Sequence, residues 1–320
     1  MYKKIVQRGT KNEFPLRYTL EGNLDSKNLL VMIHSGGMDH HEQGYYQTFD
    51  QEGHVIKNDQ MKAILTKQHI GNYDRIVGEL EASGADTLIV RPDLRNHGES
   101  ILSNGMMDTR DTSIIRYADD ILDLIYQISK EHDIETIHLM GTCLGGLIAE
   151  CIVTGTTNHP KACIVEKIRS IFLNCPFSFQ NLISMDPTDT VNYQRNKTIF
   201  SGKQYTKIKG MFDGKKTFKE ALQHLDMPER FASILNVEIF YLYAANDWIL
   251  KESQSTEILN RMRRINSNIK YYKMTKELSH GYPDHCLWTP QCSDLFLRIA
   301  MNFYHNVLTK QDNYTQVRKK

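Results

Sequence analysis

The chain has 320 residues, 40% of them hydrophobic, which is enough to bury a large core in one sizeable domain with room for an inserted cap. Lys and Arg number 39 against 38 Asp and Glu, so no net field draws the protein to a nucleic-acid backbone or an acidic membrane leaflet. The N-terminus lacks the apolar core of a secretory signal, and no run approaches the ~18 apolar residues of a membrane span, so a soluble, cytoplasmic protein is expected.

Short apolar runs alternate with segments of helical period, the pattern of a mostly parallel sheet with helices on both faces. The first buried strand is Leu29–Ile33, and it ends at the turn His34-Ser35-Gly36-Gly37. Residues 38 to 69 then read as one long irregular loop. A helix from Asn72 to Ala82 leads to the strand Thr87–Val90, which runs into Pro92-Asp93-Leu94-Arg95-Asn96-His97-Gly98-Glu99-Ser100. A one-faced apolar helix lies between Asp111 and Lys130, followed by the strand Thr136–Met140 and a helix from Leu144 to Val153. Strands at Ser170–Asn174 and Val237–Tyr243 are about sixty residues apart, too far for a simple crossover, so 176–236 reads as a cap with helical pieces near Phe218–His224. A helix at Ser253–Ile265, a strand at Lys270–Met274 and a closing helix at Gln291–Val307 complete the series. The expected organisation is a core of 1–175 and 237–310, the cap between them, and a frayed tail from 311 to 320.

The six cysteines, at 143, 151, 163, 175, 286 and 292, show neither a CxxC pair nor the density of a disulfide framework, so reduced thiols are expected. One of them is set apart by its neighbours. Gly141-Thr142-Cys143-Leu144-Gly145-Gly146 lies between a buried strand and a helix rich in small residues, in the form of a nucleophile elbow with cysteine in place of serine. A side chain raised on a strained strand-to-helix turn needs glycines where neighbouring backbones approach, and the helix N-terminus favours a thiolate and a developing oxyanion.

With the His34-Ser35-Gly36-Gly37 turn and the Asp93-to-Ser100 segment before it, the elbow resembles the α/β-hydrolase family over nearly the whole chain, from about Leu29 to Val307. That resemblance implies an eight-stranded sheet and the chain order nucleophile, acid, histidine. Asp247, just beyond a late strand, matches the acid. His280, after the last strand, matches the base, although Ser279 precedes it where the family more often has glycine, which leaves His285 as its rival. The oxyanion hole would take the backbone N–H of Leu144 and a second donor from the turn after the first buried strand, Gly36 first and Ser35 behind it.

Asp93, Arg95 and His97 are expected to shape the turn beneath the site, and His34 to hold its own turn. The consecutive Asp39-His40-His41-Glu42 lacks the spacing of a defined zinc motif and reads as a solvated or substrate-lining loop, so no metal and no cofactor are expected. Cysteine elbows resemble those of dienelactone hydrolases, polyhydroxyalkanoate synthases and some biosynthetic thioesterases. They imply a Cys-His-Asp triad and an acyl-cysteine intermediate, with hydrolysis or acyl transfer on a thioester or ester, free or carried by coenzyme A or an acyl carrier protein. A lactone or carboxylic ester hydrolase of the dienelactone hydrolase type is the alternative, and a non-catalytic ligand receptor on the same fold the reading from another class.

Overall fold

A computed structural model describes residues 3–6, 16–36, 38–42, 46–49, 55–58, 71–101, 108, 113–157, 162–183, 214–247, 250–277 and 290–317. The strands are β1 (Lys3–Val6), β2 (Arg17–Gly22), β3 (Asn28–Ile33), β4 (Tyr46–Phe49), β5 (Val55–Asn58), β6 (Leu88–Pro92), β7 (Thr136–Thr142), β8 (Ile168–Asn174), β9 (Glu238–Ala244) and β10 (Lys270–Met274). Eight of them form one sheet in the order β1-β2-β6-β3-β7-β8-β9-β10. The β1–β2 and β2–β6 pairs are antiparallel and every later neighbour in that order is parallel.

Strands β3, β6 and β7 are buried along nearly their whole length, because helices cover both faces of a parallel sheet; hence the unbroken apolar runs of the sequence. β10 is the opposite case. It lies at the sheet edge and exposes its first four residues, where Lys270 and Lys273 discourage pairing with another chain.

The helices are α1 (Asn72–Ala82), α2 (Ile114–Glu131), α3 (Leu144–Val153), α4 (Phe179–Ile183), α5 (Gly214–Gln223), α6 (Met227–Ala232), α7 (Glu252–Ile265) and α8 (Pro290–Val317). Ser113 starts α2 by accepting the Arg116 N–H at 3.2 Å, and ten buried residues of that helix form the face it turns inward. On one side of the sheet Phe172 and Phe240 stack at 4.9 Å between centroids and meet Phe303 of α8. α1 packs against α8. Tyr241, the next residue along β9, points to the other side, where α3 lies with α2 against it.

Three features depart from the sequence reading. The stretch from 38 to 69, read as an irregular loop, contains the antiparallel hairpin β4–β5, whose four-residue strands are too short to show an apolar alternation. β1 and β2 precede the first strand recognised in the sequence and occupy the antiparallel edge. The closing helix runs to Val317, past the expected end at 307 and into the segment read as a frayed tail. Between β8 and β9 the described residues form α4, α5 and α6, with α5 against α4 and α6 against both α3 and α7.

Candidate active site

β7 ends at Thr142, α3 begins at Leu144, and Cys143 between them makes the whole reversal with φ 51° and ψ −110°. A positive φ in a residue with a Cβ costs on the order of 1–3 kcal/mol and persists only where the surroundings fix it. Here they do. The Cys143 N–H donates to the Asn174 carbonyl at 3.0 Å, and the Cys143 carbonyl accepts from Gly146 at 3.0 Å and Phe177 at 2.8 Å. Beneath the bend, the Tyr73 hydroxyl donates to the Ile33 carbonyl at 2.8 Å and lies 2.9 Å from the Thr142 hydroxyl, tying β3 to β7.

The glycines of the elbow are required by contact. A Cβ at Gly145 would lie 2.0 Å from the Ile33 carbonyl oxygen, one at Gly141 2.4 Å from the Gly145 oxygen, and one at Gly146 2.7 Å from Pro176. Two adjacent glycines weaken a helix start by about 1 kcal/mol each, and the close approach of α3 to β3 and to the end of β8 is what they permit. Cys143 is partly exposed, whereas Cys151, Cys175 and Cys292 are buried as packing residues. Burial pushes the Cys151 thiol well up, which keeps it protonated and inert.

The turn after β3 is held from two directions. His34 is fully buried, and that burial lowers its pKa, so the ring is neutral. Its Nδ1–H donates to the Ser35 carbonyl at 2.7 Å, and its Nε2 accepts the Leu94 N–H at 2.9 Å. Glu42, itself buried at φ 54°, accepts the Ser35 N–H at 2.8 Å and the Ser35 hydroxyl at 2.6 Å. The Ser35 N–H is thus engaged by a carboxylate, while Gly36 is buried beside it in the turn. Nothing in the spacing of the sequence pointed to Glu42.

The 93–100 segment is braced by its own charges. Asp93 accepts the His40 N–H at 2.8 Å, the His40 ring at 2.7 Å and the Glu99 N–H at 2.8 Å. Burial alone would raise its carboxyl, but the His40 hydrogen bond and charge outweigh that and hold it at about 2. Gly98, at φ 51°, leaves room for this carboxylate, since a Cβ there would fall 2.3 Å from it. Arg95 forks onto both oxygens of Asp120 at 2.8 and 2.9 Å and reaches Asp108 at 2.8 Å. Buried His97 donates from Nδ1 to the Arg95 carbonyl at 2.8 Å. These three side chains are spent on the turn, as the sequence reading held. The Asp39–Glu42 stretch differs from its expectation: Asp39, His40 and Glu42 are buried and hydrogen-bonded, because Asp93 and Ser35 draw them inward.

Asp247 follows β9 by three residues, half-buried, with one carboxylate oxygen accepting the Leu250 N–H at 2.8 Å. Cys143 and Asp247 therefore top two parallel strands with only β8 between them, about 10 Å apart at the strand axes. β10 adjoins β9, and the chain beyond it is described as far as Glu277; His280 and His285 lie outside the described residues. Leu144 opens α3, so its N–H has no carbonyl one turn earlier to bond. No helix among the described residues is long and apolar enough to cross a membrane.

No family model matches the chain, and no curated protein does. Solved structures match it along most of its length. A highly thermostable carboxyl esterase from Bacillus coagulans aligns with a TM-score of 0.65 over 96% of this chain and 99% of that one, at 9% identity. The α/β hydrolase domain-containing protein 10 from mouse aligns at 0.59 over 96% and 99%, at 11% identity. The Pyrococcus furiosus esterase Pf2001 aligns at 0.58 over 97% and 92%, at 12% identity. This chain has the α/β-hydrolase fold.

Proposed function

We propose that this α/β-hydrolase-fold chain is an acyl-transferring enzyme that acts on a thioester or ester through a covalent intermediate on Cys143. The observation that carries the reading is the left-handed backbone of Cys143 at a glycine-packed strand-to-helix bend, with Cys143 partly exposed while Cys151, Cys175 and Cys292 are buried. Strain of that kind has no packing purpose that glycine, which lacks a Cβ, would not serve better.

In this reading His280 removes the thiol proton and Asp247 orients the imidazole and stabilises its protonated form. The sulfur attacks the acyl carbonyl, a C–S bond forms, and the oxyanion is met by the N–H groups of Leu144 and Gly36. Ser35, whose N–H is held by Glu42, supports the turn from behind. The carbon–heteroatom bond of the substrate then breaks, and the leaving thiolate or alkoxide takes its proton from His280. Water or an acceptor nucleophile, deprotonated by His280, attacks the acyl-cysteine carbonyl and releases the thiol. The named esterases among the solved relatives support an ester-cleaving chemistry, and a thioester intermediate extends it to acyl transfer, with donors on coenzyme A or a carrier protein as the class to test first. The 176–236 segment is assigned as the cap over the acyl pocket.

The test is intact-protein mass spectrometry after mixing the full chain with short- and medium-chain acyl-coenzyme A and with p-nitrophenyl esters. An acyl adduct on Cys143, absent from Cys143→Ala, is expected. Turnover without any adduct, or an adduct that persists in Cys143→Ala, overturns the reading.

A further inference from the structure

The run Asp39-His40-His41-Glu42 lacks the spacing of a defined zinc motif and reads in sequence as a solvated or substrate-lining loop. The fold alters that, because they lie on one turn closed by the Glu42 N–H donating to the Asp39 carbonyl at 3.0 Å. One carboxylate oxygen of Asp39 and one ring nitrogen from each histidine lie within 4.8 Å of one another.

The surroundings of the two rings add an independent argument. His40 Nδ1 is 2.7 Å from a carboxylate oxygen of Asp93, which follows β6. His41 Nδ1 is 2.9 and 3.0 Å from the two oxygens of Asp74, which belongs to α1. Each imidazole thus has a carboxylate from a separate element behind it, fixing its tautomer and orientation and leaving Nε2 as its remaining donor atom. That is how metal-binding histidines are held, with the carboxylate also raising the basicity of the ligating nitrogen. The rings lie with centroids 4.0 Å apart and planes tilted by 38°. Asp39 and His40 are buried, whereas the His41 side chain is 37% exposed, which provides an entry from solvent.

We propose that Asp39, His40 and His41 form a binding site for one divalent transition-metal cation of the zinc type, with Asp74 and Asp93 holding the two imidazoles. Two imidazoles and one carboxylate suit a borderline ion and leave a coordination position for water. The single negative charge of Asp39 offsets half the charge of the ion, and Asp93 behind the His40 ring offsets more, whereas Asp74 is shared with the Arg91 guanidinium. The next residue, Glu42, is the clamp on Ser35, so an occupied site stiffens the turn after β3.

The experiment titrates the full chain, stripped with a chelator and dialysed, with Zn²⁺ by calorimetry and with Co²⁺ by absorption. The expected result is one equivalent bound per chain, with visible Co²⁺ bands and no near-ultraviolet thiolate-to-cobalt transition, since no cysteine takes part. His41→Gln changes a side chain at the surface and is expected to weaken binding at least tenfold while the far-ultraviolet circular dichroism stays unchanged. Asp39→Asn provides a second variant should His41→Gln unfold, and is expected to weaken binding to the same degree. Losing a carboxylate behind a ring typically weakens such sites 10–100-fold, which is the range expected for Asp74→Asn. Absence of stoichiometric binding, affinity unchanged in a folded variant, or a cobalt–thiolate band overturns the proposal.

Discussion

Glu42 grips Ser35 twice, accepting its N–H at 2.8 Å and its hydroxyl at 2.6 Å, and both residues are buried. The grip fixes Ser35 directly before Gly36, the residue proposed as the second oxyanion donor, while the His34 hydrogen bond to the Ser35 carbonyl holds the peptide that carries the Gly36 N–H. Glu42→Ala is expected to lower kcat for an activated ester by about 10- to 100-fold with KM changed less than about twofold, approaching the loss seen when one oxyanion donor is removed. Glu42→Gln keeps one acceptor and is expected to fall between the two. Steady-state kinetics separate this from a packing role, which would move KM and thermal stability together with kcat.

The assignment of the base distinguishes two histidines beyond β10. His280→Ala is expected to abolish turnover while leaving the fold intact, and His285→Ala to leave kcat within a few-fold of the parent. The opposite outcome transfers the role to His285. Burst kinetics with p-nitrophenyl acetate make the comparison at single-turnover resolution.

Gly145 and Gly155 test the packing of the elbow. A Cβ at Gly145 meets the Ile33 carbonyl oxygen at 2.0 Å, a backbone atom that cannot move aside without shifting β3. At Gly155 a Cβ meets nothing within 4 Å, and only its φ of +65° is unfavourable. Gly145→Ala is expected to cost more than about 3 kcal/mol or to prevent folding, and Gly155→Ala about 1–2 kcal/mol. Urea unfolding of both variants gives the comparison.

Glu150, on the face of α3 that packs into the core, is 4% exposed and has no cation or hydrogen-bond partner for its carboxyl among the described residues. Burial raises its pKa from 4.5 to about 8. The folded chain therefore keeps this proton over a range in which the unfolded chain has released it. Its contribution to stability is complete below about 4.5 and is lost as pH rises through about 8, at about 1.4 kcal/mol per unit of separation. Glu150→Gln removes the dependence. Its melting temperature is expected to match the parent near pH 5 and to exceed it by several degrees at pH 8.5; parallel melting curves of the two proteins across that range would refute the argument.

Periodicity was enough to recognise the central strands and the major helices, because a parallel strand covered on both faces must be apolar throughout and a helix on such a sheet must be apolar along one stripe. The elbow was legible for a related reason. Its glycines at 141, 145 and 146 mark Cys143 by their spacing alone, although only the Gly141 contact lies within the bend and the other two are required by Ile33 of β3 and by Pro176 beyond β8. The hairpin β4–β5 and the antiparallel strands β1 and β2 left little trace: β1, β4 and β5 are only four residues long, and β2 places Tyr18 and Leu20 inward between half-buried residues instead of running apolar throughout.

What tertiary structure alone decided is the polar architecture around the turn after β3. Glu42 meets Ser35 only because the chain reverses at 39–42, and His40 and His41 acquire Asp93 and Asp74 only because β6 and α1 converge there. Local sequence is governed by backbone geometry and burial, which repeat at fixed intervals along a chain. Pairing between buried charges has no such period: it depends on which elements fold together and on the requirement that each charge withdrawn from water find a partner.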